Sequence, residues 1–409
     1  MRKIQVAAVL FVTLLAGCST VPPSAVPAPV AAPAVCAPCQ ACPVCPAPTP
    51  TPVAAPAFSR SLLLATWSDL PGWADDNVAA AWPAFMQSCR GINSKGNGAG
   101  WKRVCDLARA VDGKPGLDER RFFEQNLKPY AISNGDGAVN GLVTGYYEPL
   151  LRGSRTRTRG FEQPVRGVPD DLLTIDLSAV FPELKDKRVR GRLEGNKVVP
   201  YWSRAEISAQ GDKAPGRTLL YVDDAVELFF LQVQGSGRVR LPDGSMVRLN
   251  YGDQNGHPYQ SIGKALVERG ELKLEEASMQ GIQAWARANP ARLEALLNVN
   301  PSYVFFREMP NSPDGPIGAL GVPLTAERSI AVDPRSVPLG APVFLATSRP
   351  NSATPMNRLV MAQDTGGAIK GAVRADFFWG FGKEAGEQAG RMKQGGRMWV
   401  LLPGELAPK

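Results

Sequence analysis

Histidine is almost absent from this chain. The 409 residues contain only one, His257, which lies between a glycine and a proline. A single histidine excludes most histidine-based metal sites and allows no more than one histidine-dependent catalytic triad. We interpret His257 as a turn residue. Carboxylates are therefore the first candidates for acid–base chemistry.

Long apolar runs are also missing. The longest candidate, Ile4–Ala16, follows Arg2 and Lys3 and is shorter than the roughly 20 residues that a membrane-spanning helix needs. A charged start before a short apolar core is typical of an export signal. The run ends in Leu15-Ala-Gly-Cys18, which is a lipobox. We predict that residues 1–17 are a lipoprotein signal peptide and that Cys18 is lipidated; Ser19, in place of aspartate, favours sorting to the periplasmic face of the outer membrane.

Cysteine is scarce in the part of the chain that can bury a core. Residues 18–58 are rich in Pro and Ala, which predicts an extended tether, and this segment holds Cys36, Cys39, Cys42 and Cys45. Their spacing is similar to an iron–sulfur motif, but the last gap is one residue short and a flexible tail supplies no surrounding shell. Disulfides within or between tails are the preferred interpretation. Cys89 and Cys105 remain, and export makes them a candidate disulfide pair.

The charge balance is basic, with a formal net charge of +8. This suits contact with anionic wall polymers or lipid headgroups. For an exported chain it gives no reason to expect nucleic acid as a partner.

The remaining part, about 350 residues long, exceeds a usual single core and predicts two domains. Period, caps and composition predict helices at Val78–Cys89, Val104–Val111, Arg121–Leu127 with Asp118 as its cap, Lys264–Arg269, Glu275–Ala288, Pro290–Leu297 and Lys383–Met392. Short strands are expected from Val143 onward and at Leu231–Gln234, Arg238–Leu241 with Met246–Asn250 as a hairpin, Ser329–Val332, Ala341–Ala346, Arg358–Gln363, Ala368–Ile369 and Met398–Leu402. The predicted fold class is mainly β with peripheral helices (α+β), and the short C-terminal strands are typical of a small barrel.

The strongest chemical signal lies between Ala362 and Gly380. Asp364 and Asp376 stand twelve residues apart among glycines, and Phe377–Trp379 directly follow the second aspartate. An apolar wall raises the pKa of a carboxyl group, and a general acid for glycosidic cleavage needs such a raised pKa. The structural alternative is that Asp364 is a turn residue and Asp376 a barrel-rim residue.

The chain also resembles a known family. Its C-terminal block is similar to the 3D domain, and residues 145–402 resemble the MltA family of lytic murein transglycosylases. The matching motifs are Gly145-Tyr-Tyr-Glu-Pro149, Val233-Gln-Gly-Ser-Gly237, Asn255-Gly-His257, Ser261-Ile-Gly-Lys264, Asn300-Pro-Ser-Tyr-Val-Phe-Phe306, Val337-Pro-Leu-Gly340, Asp364 to Gly371, Gly382-Lys-Glu-Ala-Gly386 and Gly396-Arg-Met-Trp-Val400.

This resemblance implies a double-psi β-barrel formed by residues 59–148 and 311–409. It also implies a second small glycan-binding β-barrel domain inserted at 149–310, with a groove between the two. Asp376 is then the catalytic acid and base, and Asp364 supports it. The spacing between the two aspartates departs by one residue from the family pattern, so the match of Asp376 depends on the aromatic residue that follows it and on Gly380.

The implied reaction is cleavage of the β-1,4 bond between N-acetylmuramic acid and N-acetylglucosamine of peptidoglycan, with 1,6-anhydromuramic acid ends as product. This reaction is expected to need no metal and no cofactor. The expected partners are glycan strands, the outer membrane through the lipid anchor, and other cell-wall enzymes; the chain itself is expected to be a monomer. The candidate substrate-binding residues, each with a purely structural alternative, are Tyr147, Gln234, Ser236, Gly366, Gly367 and Lys370.

Three other functions are compatible with parts of the pattern. Asp364-Thr-Gly366 is also the triplet of aspartic proteases, but that dyad needs a second triplet and the chain has none. A non-catalytic peptidoglycan-binding protein remains an alternative, because a barrel fold does not determine activity. A hydrolytic muramidase that uses both aspartates is the third.

Overall fold

The computed structural model describes residues 62–94, 98–184, 187 and 189–408. The predicted signal peptide, Cys18, the tether and its four cysteines lie outside these residues. The strands are β1 (Leu62–Leu64), β2 (Lys128–Ile132), β3 (Gly141–Glu148), β4 (Leu150–Ser154), β5 (Gln163–Arg166), β6 (Leu173–Thr174), β7 (Arg190–Glu194), β8 (Lys197–Pro200), β9 (Thr218–Val222), β10 (Ser236–Arg240), β11 (Met246–Gln254), β12 (Val304–Met309), β13 (Ser329–Val332), β14 (Pro342–Ser348), β15 (Pro355–Asp364), β16 (Arg374–Phe381) and β17 (Lys393–Leu402). The α-helices are α1 (Trp82–Ser94), α2 (Lys102–Val111), α3 (Glu119–Asn126), α4 (Arg204–Ala209), α5 (Ala225–Gln234), α6 (Ile262–Glu268), α7 (Met279–Ala288), α8 (Leu293–Leu297) and α9 (Gly382–Arg391).

The first barrel joins the two ends of the folded chain. Its strands pair in the order β17-β14-β15-β13-β16-β3, and β3 pairs back with β17 to close a six-stranded ring. The pairs β13 with β15 and β16 with β3 are parallel, and the other pairs are antiparallel. β2 and β1 extend the sheet beyond β17. Closure leaves the ring itself without exposed strand edges.

The second barrel is built from the middle of the chain. Its strands pair in the order β12-β11-β10-β4-β9-β5, and a parallel bridge between Gly167 and Phe306 closes this ring as well. Its core includes Leu151, Leu220 and Val239, each essentially inaccessible to solvent. β6, β7 and β8 form a small separate sheet. The predicted fold class, mainly β with peripheral helices and two barrels, is confirmed.

The N-terminal helices cover the first barrel. Phe85 on α1 and Phe123 on α3 are buried in the same core as Phe344 of β14. A disulfide between Cys89 and Cys105 joins α1 to α2, and both cysteines are buried. Asp118 caps α3, as predicted, by accepting a hydrogen bond from the backbone N–H of Arg121 at 3.0 Å.

The chain leaves the first barrel at the end of β3 and returns to it before β13. At the point of departure the buried carboxylate of Glu148 pairs with Arg238 of β10 at 3.0 Å. The returning segment is held by Arg248, which donates to the carbonyl oxygen of Gly315 at 2.8 Å, and by Asn250, which accepts from the N–H of Ile317 at 3.1 Å. These contacts fix one barrel against the other beside the two crossing points.

Two local predictions are wrong. Leu231–Gln234 was expected to be a strand, but it forms the last turn of α5, which Asp224 caps at its start and Gly235 ends with a φ of 80°. α5 buries residues on several sides, and a short apolar run of this kind does not distinguish a buried helix from a strand. Ala368–Ile369 lies in a turn in which the N–H of Ile369 donates to the carbonyl oxygen of Gly366 at 3.0 Å.

Candidate active site

Strand register places Asp376 on the same side of the sheet as its neighbours Thr144 and Ala331. Asp376 on β16 pairs with Thr144 of β3 on one side and with Ala331 of β13 on the other. Directly paired residues point to the same face of a sheet. Two residues further along each strand, Tyr146 and Phe378 share this face and pack together, with ring centroids 5.2 Å apart.

A β-bulge brings Asp364 to this face as well. Ile330 pairs with Ala362, but the next residue, Ala331, pairs with Asp364, so Gln363 is the extra residue of β15. Without the bulge, Gln363 would stand opposite Ala331. Instead, its buried side chain bonds the carbonyl oxygen of Ala84 at 2.8 Å. The two aspartates therefore flank Ala331, one on each neighbouring strand.

The carboxyl group of Asp376 is partly buried and has few polar contacts. The Thr144 hydroxyl donates to its Oδ1 at 2.5 Å, and Arg374 donates to the same hydroxyl oxygen at 2.9 Å. Burial raises the pKa of Asp376 to about 6; the Thr144 hydrogen bond and the Arg374 charge oppose this rise, whereas the Asp364 carboxylate adds to it. Burial also lowers the pKa of Arg374. The site therefore favours the protonated form of Asp376 much more than water does.

Asp364 is held as a hydrogen-bond acceptor. Its carboxylate accepts from the backbone N–H groups of Ala319 at 2.8 Å and of Thr365 at 2.9 Å, and from the Tyr146 hydroxyl at 3.1 Å. Burial and the two nearby carboxylates raise the pKa of Tyr146 well above its ordinary value, so this hydroxyl stays protonated and donates. Asp364 thus orients Tyr146 beside Asp376.

A cavity of about 430 Å³ opens in front of Asp364, between the two barrels. Four of the sequence-predicted binding residues line it, and they are Gln234, Ser236, Gly366 and Gly367. Asp376, on the far side of Ala331 from Asp364, is not part of this lining. Asn250, Gln254 and Arg307, which we had not predicted, supply polar groups from the second barrel.

Two predicted residues lie elsewhere. Tyr147 points to the opposite side of β3, where it is buried and its hydroxyl donates to Met279 Sδ at 3.4 Å. Only its backbone N–H approaches the cavity, by donating to Gln234 Oε1 at 3.1 Å. Lys370 is exposed on the turn after Gly367. His257, interpreted as a turn residue, has its Nε2 within 2.7 Å of the Tyr201 carbonyl oxygen.

Sequence reasoning missed Thr144, Tyr146 and Arg374. Thr144 donates to Asp376 and Tyr146 donates to Asp364. Arg374 reaches Asp376 through the Thr144 hydroxyl, to which it donates. Thr144 and Tyr146 are two residues apart on one strand, so the sequence alone indicates that they share a face. It does not indicate whether this face or the face of Tyr147 meets the cavity. Among the described residues, no group of three or more His, Cys, Asp and Glu side chains is arranged to hold a metal ion.

Comparison with known proteins adds independent evidence. The family model of the MltA specific insert domain matches residues 142–307, and that of the 3D domain matches residues 328–402. The chain is 34% identical over 295 residues to membrane-bound lytic murein transglycosylase A of Escherichia coli strain K12. The aligned residues cover 70% of this chain and 73% of the relative. The chain belongs to the MltA family.

Solved MltA structures share the fold described above. MltA from Neisseria gonorrhoeae is 41% identical, with a TM-score of 0.73 over 84% of this chain and 92% of that one. Escherichia coli MltA with bound chitohexaose is 29% identical, with a TM-score of 0.61 over 85% of this chain and 95% of that one. None of the helices in the described residues is long and apolar enough to span a membrane.

Proposed function

We propose that this protein is a lytic transglycosylase that cleaves the β-1,4 bond between N-acetylmuramic acid and N-acetylglucosamine of peptidoglycan. Membership of the MltA family supports the reaction class, and the chitohexaose complex of the Escherichia coli relative supports a glycan as ligand. The observation that carries the proposal is the partly buried Asp376, whose pKa of about 6 lets it exchange a proton near neutral pH.

In the first step, protonated Asp376 donates its proton to the glycosidic oxygen. The C1–O bond then breaks, the N-acetylglucosamine part leaves with the proton, and an oxocarbenium-like centre forms at C1 of the muramic residue. Tyr146 and Phe378, two residues further along the same two strands, are buried on the face that carries this carboxyl group. The Thr144 hydroxyl stabilises the carboxylate left after the transfer.

In the second step, the same carboxylate acts as a base. It removes the proton from the C6 hydroxyl of the muramic residue, and the C6 oxygen bonds to C1 to form the 1,6-anhydro ring. Asp376 returns to its protonated state, and no water is consumed. Because the attacking hydroxyl belongs to the same sugar, the ring closure profits from effective molarities that reach about 10⁵ M or more in oriented systems.

The alternative in which both aspartates act, a hydrolytic muramidase, is less well supported. Asp364 already accepts three hydrogen bonds from Ala319, Thr365 and Tyr146. We assign it a supporting role: it orients Tyr146, and its charge raises the pKa of Asp376. Gln234, Ser236, Gly366 and Gly367 are proposed to bind sugar hydroxyls and acetamides from the cavity wall, whereas Tyr147 and Lys370 lie outside that wall.

The path of the chain supports the proposed division into domains. We assign residues 59–148 and 311–409 to the catalytic barrel and 149–310 to a glycan-binding insert, because β3 and β13 are the strands at which the chain leaves and re-enters the first barrel. The cavity with Asp364 takes its lining from both parts.

Mass analysis of digested sacculi tests the reaction. Anhydro ends, each lighter than the hydrolysed product by one water, are expected; reducing ends would mean hydrolysis, and intact sacculi would mean a binding protein.

Asp376→Asn should lower the rate about 10²- to 10⁴-fold, the usual contribution of a general acid. Asp243→Asn, which changes an exposed turn carboxylate, is the matched control. Full activity of Asp376→Asn would disprove the assigned role.

The location is proposed from the sequence and the names of the relatives. We propose that diacylated Cys18 anchors the protein to the periplasmic face of the outer membrane and that residues 18–58 act as the tether; the matched relatives are described as membrane-bound. A variant in which a cleavable signal without a lipobox replaces residues 1–18 should shift to the soluble periplasmic fraction. Ser19→Asp should move it to the inner-membrane fraction of a density gradient. An unchanged distribution of both variants would contradict the anchor.

A further inference from the structure

The second barrel contains another cavity, of about 410 Å³, separate from the one in front of Asp364. Five of its lining residues are polar or aromatic side chains that are themselves buried: Arg166 at the end of β5, Arg204 at the start of α4, Phe229 and Gln232 on α5, and Tyr303 just before β12. The proposed glycan reaction uses none of them.

The two buried arginines have no acidic partner. Arg166 donates to three carbonyl oxygens of residues 211–216 at 2.8 to 3.2 Å. Arg204 donates to the carbonyl oxygens of Asn300 and Ser302 at 3.0 and 2.6 Å. Neither guanidinium belongs to an ion pair in the part of the chain that the structure describes. Three acidic residues also line the cavity, Glu162, Asp212 and Glu294, but all three are exposed, and Asp212 pairs with Arg157. Buried charges are normally paired because their desolvation is costly, so the buried part of the wall carries two guanidinium groups without a buried acidic partner.

Further features of the same wall point to a ligand. Arg204 lies over the rings of Phe229 and Tyr303, 4.8 and 5.1 Å from their centroids, and its burial lowers its pKa to about 10. The side-chain oxygen of Gln232 is buried and has no hydrogen-bond partner among the residues that the structure describes. A group that brings both a negative charge and an N–H donor would satisfy this surface.

We propose that this cavity binds a carboxylate-bearing peptide, specifically the peptide stem carried by the muramic acid of peptidoglycan. The arginines pair with a stem carboxylate, the Gln232 oxygen accepts a peptide N–H, and apolar neighbours such as Ile207 and Leu293 suit small side chains. Gln232 lines this cavity and the one in front of Asp364, so the stem site adjoins the glycan site. The identity of the ligand rests on the proposed function.

Calorimetric titration of the full-length lipidated protein in detergent tests the proposal. The probe is L-alanyl-γ-D-glutamyl-L-lysyl-D-alanine, and its matched control is the same peptide with both carboxylates amidated. The acid form is expected to bind at least tenfold more tightly than the amide. Equal binding of the two forms, or no binding at millimolar concentration, overturns the proposal. Acetate and inorganic phosphate are anion controls. If either binds as tightly as the peptide, the assignment of the ligand as a peptide stem is overturned.

Two variants locate the binding. Arg204→Met should weaken peptide binding at least tenfold, whereas Arg240→Met, which removes an exposed arginine outside the cavity, should not change it. If Arg204→Met does not fold, Gln232→Glu tests the same point, because it places a carboxylate in the cavity with little change of shape. Gln232→Glu is expected to raise the midpoint temperature of thermal unfolding and to abolish peptide binding. A Gln232→Glu protein that binds the peptide like the native chain overturns the proposal.

Parallel digestion of sacculi separates this inference from the proposed function. Cleavage without peptide binding overturns the stem site alone. Peptide binding without cleavage counts against the transglycosylase, and the preference for the acid form then stands as evidence for a carboxylate site only.

Discussion

At the residue scale, the environment of Asp376 separates this carboxyl group from an ordinary surface carboxylate. Thr144 and Arg374 favour its ionised form, and burial together with the Asp364 charge favours its protonated form. Burial has the larger effect, so the pKa rises to about 6. A group with this pKa is suited to give a proton and to take one back at similar cost, which a single acid–base carboxyl must do.

The pH profile of glycan cleavage follows from this balance. In the proposed mechanism Asp376 must be protonated to start the reaction, so the rate should fall as the pH rises through about 6. Thr144→Val removes a hydrogen bond that lowers the pKa, so the pKa rises and the falling limb moves to higher pH, by up to about one unit. Thr347→Val, whose hydroxyl bonds the Gly395 carbonyl oxygen instead, should leave the limb in place. A limb that moves to lower pH in Thr144→Val would contradict the argument.

At the element scale, β3 separates two environments. Its Tyr146 faces the aspartates, whereas its Tyr147 faces α9 and the first barrel's core. α9 approaches this second face closely because Gly386 has no side chain: a Cβ there would lie 2.8 Å from the Tyr147 ring. The packing of α9 therefore helps to hold β3, and with it Thr144 and Tyr146, in position.

Two glycines of α9 provide a matched test. Gly386→Ala should destabilise the protein by about 1 to 2 kcal/mol, because the overpacking cost exceeds the helix-propensity gain. Gly390→Ala, whose Cβ would meet only the Gln280 side chain at 3.8 Å, should be neutral or stabilise it by about 0.5 kcal/mol. Urea unfolding of both variants measures the difference. Equal stabilities would show that α9 does not pack on Tyr147 as described.

The disulfide between α1 and α2 should also be measurable. It closes a sequence separation of 16 residues, and the chain-entropy model gives about 3 kcal/mol for a loop of this length. Cys89→Ala with Cys105→Ala should lower the unfolding free energy by about that amount. The native chain in reductant should approach the double variant, and the double variant should not respond to reductant. A native chain that unfolds identically with and without reductant would argue against this contribution.

At the scale of the whole molecule, buried polar contacts join the two barrels. The Glu148–Arg238 pair lies where β3 passes into the second barrel, and the Glu148 side chain is 2% exposed. Burial raises the pKa of Glu148, while Arg238 and Arg248 oppose this rise. The pair joins strands of different barrels, so its loss affects both the stability and the alignment of the groove.

Arg238→Met should therefore be costly. It leaves the Glu148 carboxylate buried without its partner, for which about 3 to 5 kcal/mol is expected. Changing Glu148→Leu in addition should recover much of this loss. Arg157→Met breaks a pair with Asp212 in which the two side chains are 55% and 86% exposed, and should cost less than about 1 kcal/mol. Denaturant unfolding of the four proteins checks the order, and an Arg238→Met protein as stable as Arg157→Met would contradict the role of the buried pair.

Local sequence patterns predicted part of the fold, whereas the barrel architecture was implied by the family resemblance. The strand Ser329–Val332 has its predicted bounds, and the hairpin after Gly237 is present. The helix predicted at Val78–Cys89 is a short 3-10 helix over Val78–Ala81 followed by α1 over Trp82–Ser94. Local periods and turn residues act within a few positions along the chain, so they can be read without tertiary structure. The end of α5 was misread because its apolar residues surround the helix and carry no period of their own.

The sequence by itself determined which chemistry is available: one histidine, a lipobox and a tether, and two aspartates among glycines and aromatics. Only the tertiary structure decided which groups meet them. Thr144 and Asp376 are 232 residues apart, and Tyr146 and Asp364 are 218 apart. The bulge at Gln363 and the register of β3 against β16 place Asp364, Tyr146 and Asp376 on one face. Strand register depends on pairing between distant segments, and for this reason the sequence pointed to the two aspartates but not to Tyr146, which shares their face.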